Sequence, residues 1–266
     1  MSENFNVKPY YDDFDPSKNY HRILFKPGYA VQARELTQSQ TILQNQISNF
    51  ADHIFSQNTP VTGGKVTTNV TCYFLKLVGT FGTSQIKASS FLNADGTGRY
   101  VTDAETGTVV AKVIAAIDGT LADPPTLIVT YLSGIRFTDA ITIKTNDSGT
   151  TQFATTVGAI GGSTCTGLAS TASISDGVFY IVNGYTKTAV GTNFSIGNFV
   201  QVNPQTIVLG KYSNKPSCRI GLTITESVIN YTSDSALLDP AIGASNYQAP
   251  GADRYKIDLT LTFLPL

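Results

Sequence analysis

Residues 21–57 read HRILFKPGYAVQARELTQSQTILQNQISNFADHIFSQ. No Gly or Pro occurs from Val31 to Gln57, and Leu36, Leu43, Ile47, Phe50 and Ile54 follow at steps of seven, four, three and four. Those steps place all five on one stripe at 3.6 residues per turn, so the stretch predicts a single long helix. Over 31–57 it would run roughly 40 Å at 1.5 Å per residue. Gln38, Gln40, Gln44, Gln46 and Asn49 fill the other faces, with few charges among them. A stripe of this kind has to be buried against something. Two coverings are open: a β-sheet of the same chain, or the stripes of further copies as in a short coiled coil. Seven-residue steps at Leu36, Leu43 and Phe50 permit the second, and polar Ser39 and Gln46 at facing positions weaken it.

Upstream, residues 1–20 predict an extended arm, because Pro9 and Pro16 disfavour helix and Tyr10, Tyr11, Phe14 and Tyr20 show no period. Aromatics on an arm without internal structure predict docking on a neighbouring surface. Asp12, Asp13 and Asp15 cluster there, yet the run lacks the glycine and distal glutamate of a calcium loop. A solvated or Arg-paired turn, with Asp15 and Ser17 as cap residues, is the plainer reading.

Downstream the pattern changes to strand and turn. Pro60 and Gly63-Gly64 stop the helix, and 65–79 predicts one long or two short strands. GTVVAKVIAAI puts Val109, Ala111, Val113, Ala115 and Ile117 on one face. Residues 146–176 are small, polar and glycine-rich, the composition of a flexible loop. RYKIDLTLTF alternates strictly, with Tyr255, Ile257, Leu259, Leu261 and Phe263 on one side, and predicts a half-buried strand. The expected fold is therefore mostly β with one long N-terminal α-helix: a β-sandwich or small barrel body behind an extended arm. The expected segments are 1–60 (arm and helix), 61–80 plus 201–266 (framework β domain), and 81–200 (inserted β domain with the 146–176 loop).

Composition narrows the function. Charged residues make up 14% of 266 and the formal net charge is −1, which argues against a nucleic-acid surface. No apolar run approaches the 18 residues of a membrane span, and MSENFNVKPYYDD has neither part of a signal peptide. Cys72, Cys165 and Cys218 make no metal motif and are an odd number for a disulfide framework. No metal or cofactor is expected. His21 and His53 are the only histidines, no nucleophile, phosphate or dinucleotide motif is present, and Gly161-Gly162-Ser163 lies outside any strand-to-helix turn. Arg34-Glu35 and Asp253-Arg254 predict surface or interface ion pairs. Asn69 and Asn193 match a glycosylation sequon without a secretory signal.

Three strings carry a family likeness: PYYDDFD, FKPGYAVQARELTQ and LQNQI near the start. QTIVLGKYSNKPS, GLTITESVI and LLDPAIGASNYQAPGADRYKIDLTLT continue it near the end. Residues 5–57 and 205–263 resemble a class of tailed-phage virion proteins of myoviruses, notably cyanophages, a domain family of formerly unassigned function (DUF4815); 108–137 are less alike and 140–200 depart most. The resemblance implies a structural component of the baseplate region or tail fibres, held in the virion in several symmetric copies and made in the host cytoplasm. Its partners would be copies of itself and other baseplate or tail proteins, with no nucleic acid, no membrane and no catalytic residues to carry over. On this reading Tyr10, Tyr11, Phe14, Arg22, Tyr29 and Arg34 on the arm, and Leu36, Leu43, Ile47, Phe50 and Ile54 on the helix, are the interface. A second class is a receptor-binding module holding a host glycan on loops within 140–200. A third is a glycan hydrolase using two of Asp12, Asp13, Asp103 and Glu105; an enzyme is not the expectation.

Overall fold

In chain order, the computed structural model has helix α1 (Ala33–Ala51) followed by β1 (Thr59–Gly63), β2 (Val66–Lys76), β3 (Thr80–Phe81), β4 (Ser84–Gln85), β5 (Tyr100–Asp103), β6 (Val110–Ile117) and β7 (Thr126–Ser133). Then come β8 (Thr142–Thr145), β9 (Phe153–Thr155), β10 (Thr166–Ile174), β11 (Gly177–Tyr185), β12 (Phe194–Val202), β13 (Gln205–Gly210), β14 (Cys218–Ile229) and β15 (Arg254–Pro265). Residues 5–120, 122–146, 150–158, 164–185 and 194–266 are described; Gly161-Gly162-Ser163 and Asn193 lie outside them. Among the described residues the protein is mostly β, with one α-helix behind an extended arm.

Two compact units form. One comprises Met1–Lys65, Ser175–Asn203 and Leu222–Thr260; the other comprises Val66–Ile174, Pro204–Gly221 and Leu261–Leu266. The grouping differs from the segments drawn on the sequence, since β2 lies between β10 and β7 rather than in a framework apart from 81–200. Periodicity identifies a strand but not its neighbours.

The second unit is built on an eight-stranded sheet, β13-β10-β2-β7-β6-β5-β8-β9, curled into a half-barrel with every neighbouring pair antiparallel. Leu75, Val101, Val113, Leu127, Phe137 and Ile143 form the main core on one face. Cys72, Ile128 and Ala169 form a smaller cluster. β7 reads TLIVTYLS, and its first four residues are all buried, the apolar run of a strand covered on both faces.

Two expectations change here. β10 runs through the segment expected to be a flexible loop, with Ala169, Ser170, Thr171 and Ala172 buried. Small residues suit that place because neighbours come close: a Cβ on Gly167 would stand 2.6 Å from Phe74 Cε1. In β6 the register shifts between Val113 and Ala115. That bulge reverses the alternation, so Ala116 joins Val109, Ala111 and Val113 at the main core while Ala115 packs on the other cluster.

In the first unit β1, β11 and β12 form a three-stranded sheet in the order β1-β11-β12, antiparallel throughout. β14 pairs with β15 in a separate ribbon. In β15 the predicted alternation holds at its centre, with Leu259 and Leu261 buried and Thr260 exposed, while Tyr255 and Phe263 near the ends are exposed.

Candidate docking surface

α1 begins at Ala33, with the Glu35 carboxylate reaching back to accept the Gln32 N–H at 2.9 Å, half of a capping box. It is 19 residues long, about 28 Å, shorter than the 31–57 span expected. A turn follows, in which Ile54 N–H donates to the Ala51 carbonyl.

The faces of α1 are the reverse of those in an ordinary surface helix. The buried residues are Thr41, Ile42, Asn45, Ser48 and Ala51. Leu36, Leu43, Ile47, Phe50 and Ile54 are 45–69% exposed. Of the two coverings open on sequence, packing of the stripe on the chain's own sheet is therefore not what forms. The helix does pack on its own chain, at β12, but with its small and polar side.

Hydrogen bonds explain the inversion. The Gly197 N–H on β12, the outer strand of its sheet, donates to Ser48 Oγ at 2.7 Å. Tyr180, fully buried on β11, donates its hydroxyl to Asp52 Oδ1 at 2.8 Å, with the Ser48 carbonyl 3.2 Å away. Burial pushes that phenol above its ordinary value. The arm holds the same helix from another side. Thr41 Oγ1 donates to Asp12 Oδ2 at 2.5 Å, and Asp12 Oδ1 accepts the Phe14 N–H at 3.2 Å. Gln38 Nε2 donates to Asp13 at 3.0 Å, and Arg34 lies 3.5 Å from the same carboxylate. Gln46 Nε2 is 3.5 Å from the His21 ring.

The arm's residues divide accordingly. Phe14, expected at an interface with another molecule, is a core residue, 4% exposed. Tyr10 is half-buried, its hydroxyl donating to Asp253 Oδ2 at 2.5 Å, and Phe5 stacks edge-on between Tyr10 and Tyr255. Tyr11, Arg22, Tyr29 and Arg34 are exposed. Sequence reasoning passed over Leu24, Phe25 and Val31, which are more than half exposed. They flank the Lys26-Pro27-Gly28 turn signal, and their apolar character beside a turn was the available clue.

The aspartate cluster fastens the arm: Asp12 and Asp13 accept from the helix and Asp15 from the arm itself. Asp15 accepts the Ser17 N–H and hydroxyl and caps the short turn Pro16–Lys18, as expected. Among the described residues no three His, Cys, Asp or Glu side chains converge as a metal site. Arg34 and Glu35 do not pair with each other, and Arg254 donates instead to the Ala252 carbonyl at 2.7 Å. Asp103, one of the carboxylates weighed for hydrolysis, holds a turn. The Thr106 hydroxyl and then the Glu105 N–H lower its affinity for a proton, the opposite of what a general acid needs. A cleft of about 580 Å³, lined by Tyr10, Thr41, Gln44, Asn198 and Arg254 among others, opens beside α1.

A family described as a domain of unknown function (DUF4815) matches residues 8–79, the stretch that holds the arm from Lys8, α1, β1 and β2. No curated protein and no solved structure matches the chain.

Proposed function

We propose that this protein is a structural component of a phage tail, placed in the baseplate region, which assembles through its arm and helix and connects neighbouring tail or fibre proteins. One observation carries the proposal: α1 turns its polar side inward and leaves four large apolar side chains, Leu36, Leu43, Ile47 and Phe50, in solvent, with Ile54 exposed in the turn that follows. Single apolar residues on a surface are ordinary, whereas a contiguous helical stripe of them marks an interaction site. The arm supports the same reading, since Leu24, Phe25, Tyr29 and Val31 add exposed apolar area just ahead of the helix. The likeness of 5–57 and 205–263 to phage virion proteins supplies the setting, with copies repeating one set of contacts around a symmetry axis.

The test is a reconstruction of the virion that encodes this chain. Density for α1 should lie against protein along Leu36, Leu43, Ile47 and Phe50. A chain missing from the particle, or present with that stripe facing solvent, would overturn the proposal.

A further inference from the structure

The stripe on α1 is more regular than a patch. From Leu36, steps of four and three alternate without a break through Gln40, Leu43, Ile47 and Phe50 to Ile54. That is the d-a-d-a-d seam of a heptad, with Leu36, Leu43 and Phe50 at d and Gln40 and Ile47 at a; Ile54, at the next a, lies in the turn just past the end of α1. All six are exposed. In a free coiled coil the b, c and f positions face water. Here Thr41, Ile42, Asn45 and Ser48, which occupy those positions, are buried against the chain's own body. The seam is thus the side of the helix left for another helix.

We infer that this seam is filled by the same seam of a second copy of the chain, the two helices parallel and in register. The inference rests on reading the arm and helix as an assembly surface, and names the occupant. Three features select a copy over a foreign helix. The flanking e and g positions along the seam are Thr37, Ser39, Gln44, Gln46, Ala51 and His53, with no Asp, Glu, Lys or Arg among them. Nothing there repels an identical chain, and no charge pattern picks out a different one. Gln40 sits alone as the polar residue in the seam, with no hydrogen-bond partner among the described residues. In a parallel, in-register pair it faces its own copy, and each amide donates to and accepts from the other; an apolar foreign helix would leave it unpaired. Ile47 at a beside Leu43 at d is the combination that favours two parallel strands.

Area agrees. At about 200 Å² for a large side chain, the four apolar seam residues on α1 and Ile54 just beyond it present roughly 570 Å² per copy. A standard interface takes about 800 Å² from each partner, and the amides beside the seam add to the apolar share.

The experiment uses the full chain. Light scattering on a size-exclusion column should give twice the 28.4 kDa chain mass. Leu43→Glu with Ile47→Glu should reduce it to one chain, with the far-UV circular dichroism unchanged because both side chains stand in solvent. A second variant, Gln40→Cys, should oxidise to a covalent dimer through the seam, as two a positions meet only in a parallel pair; the wild type under the same oxidant is the control. A wild-type mass of one chain, or of three or more, overturns the inference. So does a dimer that survives the double substitution, or a Gln40→Cys variant that does not cross-link. A monomer still found in the virion with its stripe against a different protein would sink this inference and leave the proposed function standing.

Discussion

Gly197→Ala is the sharpest probe of how the helix is held. A Cβ at this position would stand 1.9 Å from Tyr180 Oη, 2.2 Å from Cζ and 2.4 Å from Cε2. The ring has little room to retreat, because Tyr180 is fully buried and packs against Phe55 and Phe199 at centroid distances of 6.1 and 5.2 Å. Forcing a methyl into a packed interior costs about 1–3 kcal/mol. Pushing Oη away from Asp52 also sacrifices a hydrogen bond to a charged group, about 1.5–3 kcal/mol. The two effects share one ring and do not add in full, so the expected loss is about 3–4 kcal/mol, a large part of the 5–15 kcal/mol that holds a typical domain folded. Urea unfolding followed by far-UV circular dichroism measures it, since the chain has no Trp to report by fluorescence. The same substitution placed in a Tyr180→Phe background, where the nearest atom is gone, should cost less by about 1 kcal/mol or more. A loss under about 0.5 kcal/mol for Gly197→Ala alone, within the range of ordinary surface changes, would refute the argument that strand and helix meet at this point.

Three further outcomes are expected. Asp12→Asn replaces an acceptor of the Thr41 hydroxyl with a group that also donates, and should cost about 1–3 kcal/mol; limited proteolysis should then cut within 5–20 faster than in the wild type. Alkylation of the native protein at pH 8 should label Cys218 first, and Cys72 and Cys165 only in denaturant. Burial raises both buried thiols, and together with the hydrogen bond to Asp139 carries Cys165 up to about 12. That shift has a sign for stability: Cys165 favours the fold below pH 9 and loses its contribution as pH rises toward 12. Asp123 accepts from Lys211 and Tyr212, both at 2.5 Å, and the ammonium first and the hydroxyl second depress its proton affinity. Its contribution is present above about pH 4 and disappears as pH falls through its lowered value. Because Asp123 is more than a third exposed, Asp123→Asn should cost under about 1 kcal/mol at pH 7, and the difference should close in thermal melts as pH falls through and below the ordinary carboxylate range.

Periodicity found the helix and the five residues of its stripe, but the direction in which the stripe points is not a property of the helix alone. The opposite face, with Thr41, Asn45 and Ser48, reads as a wet surface. What buries it is a set of partners distant in sequence: Asp12 for Thr41, Gly197 and Tyr180 for Ser48. Nothing local announces those pairings. The strand at 166–174 escaped for a related reason. TGLASTASI has neither the bulk nor the alternation of a strand, and it is one because Phe74 lies over Gly167 and the Ser170 hydroxyl finds the Ser213 carbonyl at 2.8 Å. β15, whose alternation is strict and whose apolar residues are large, was legible as a strand, and its burial follows the alternation at the centre, Leu259 and Leu261. The bulge in β6 was not, since a one-residue slip leaves no mark in a run of Val and Ala.

The inward side of α1 also settles how far the rod can roll. A helix seated on grease tolerates a few degrees of rotation about its long axis, because dispersion contacts are many and undirected. A helix pinned by Ser48 to a strand amide and by Thr41 to a carboxylate does not, because each of those bonds weakens steeply off its preferred angle. The azimuth of the outward ridge is therefore fixed within the chain, which in the assembly proposed above would reduce the orientational freedom lost on docking. On the proposed reading, exchanging the inner hydroxyls for methyls of similar size would loosen that azimuth, and the error would appear in the angles between subunits as well as in the subunit itself.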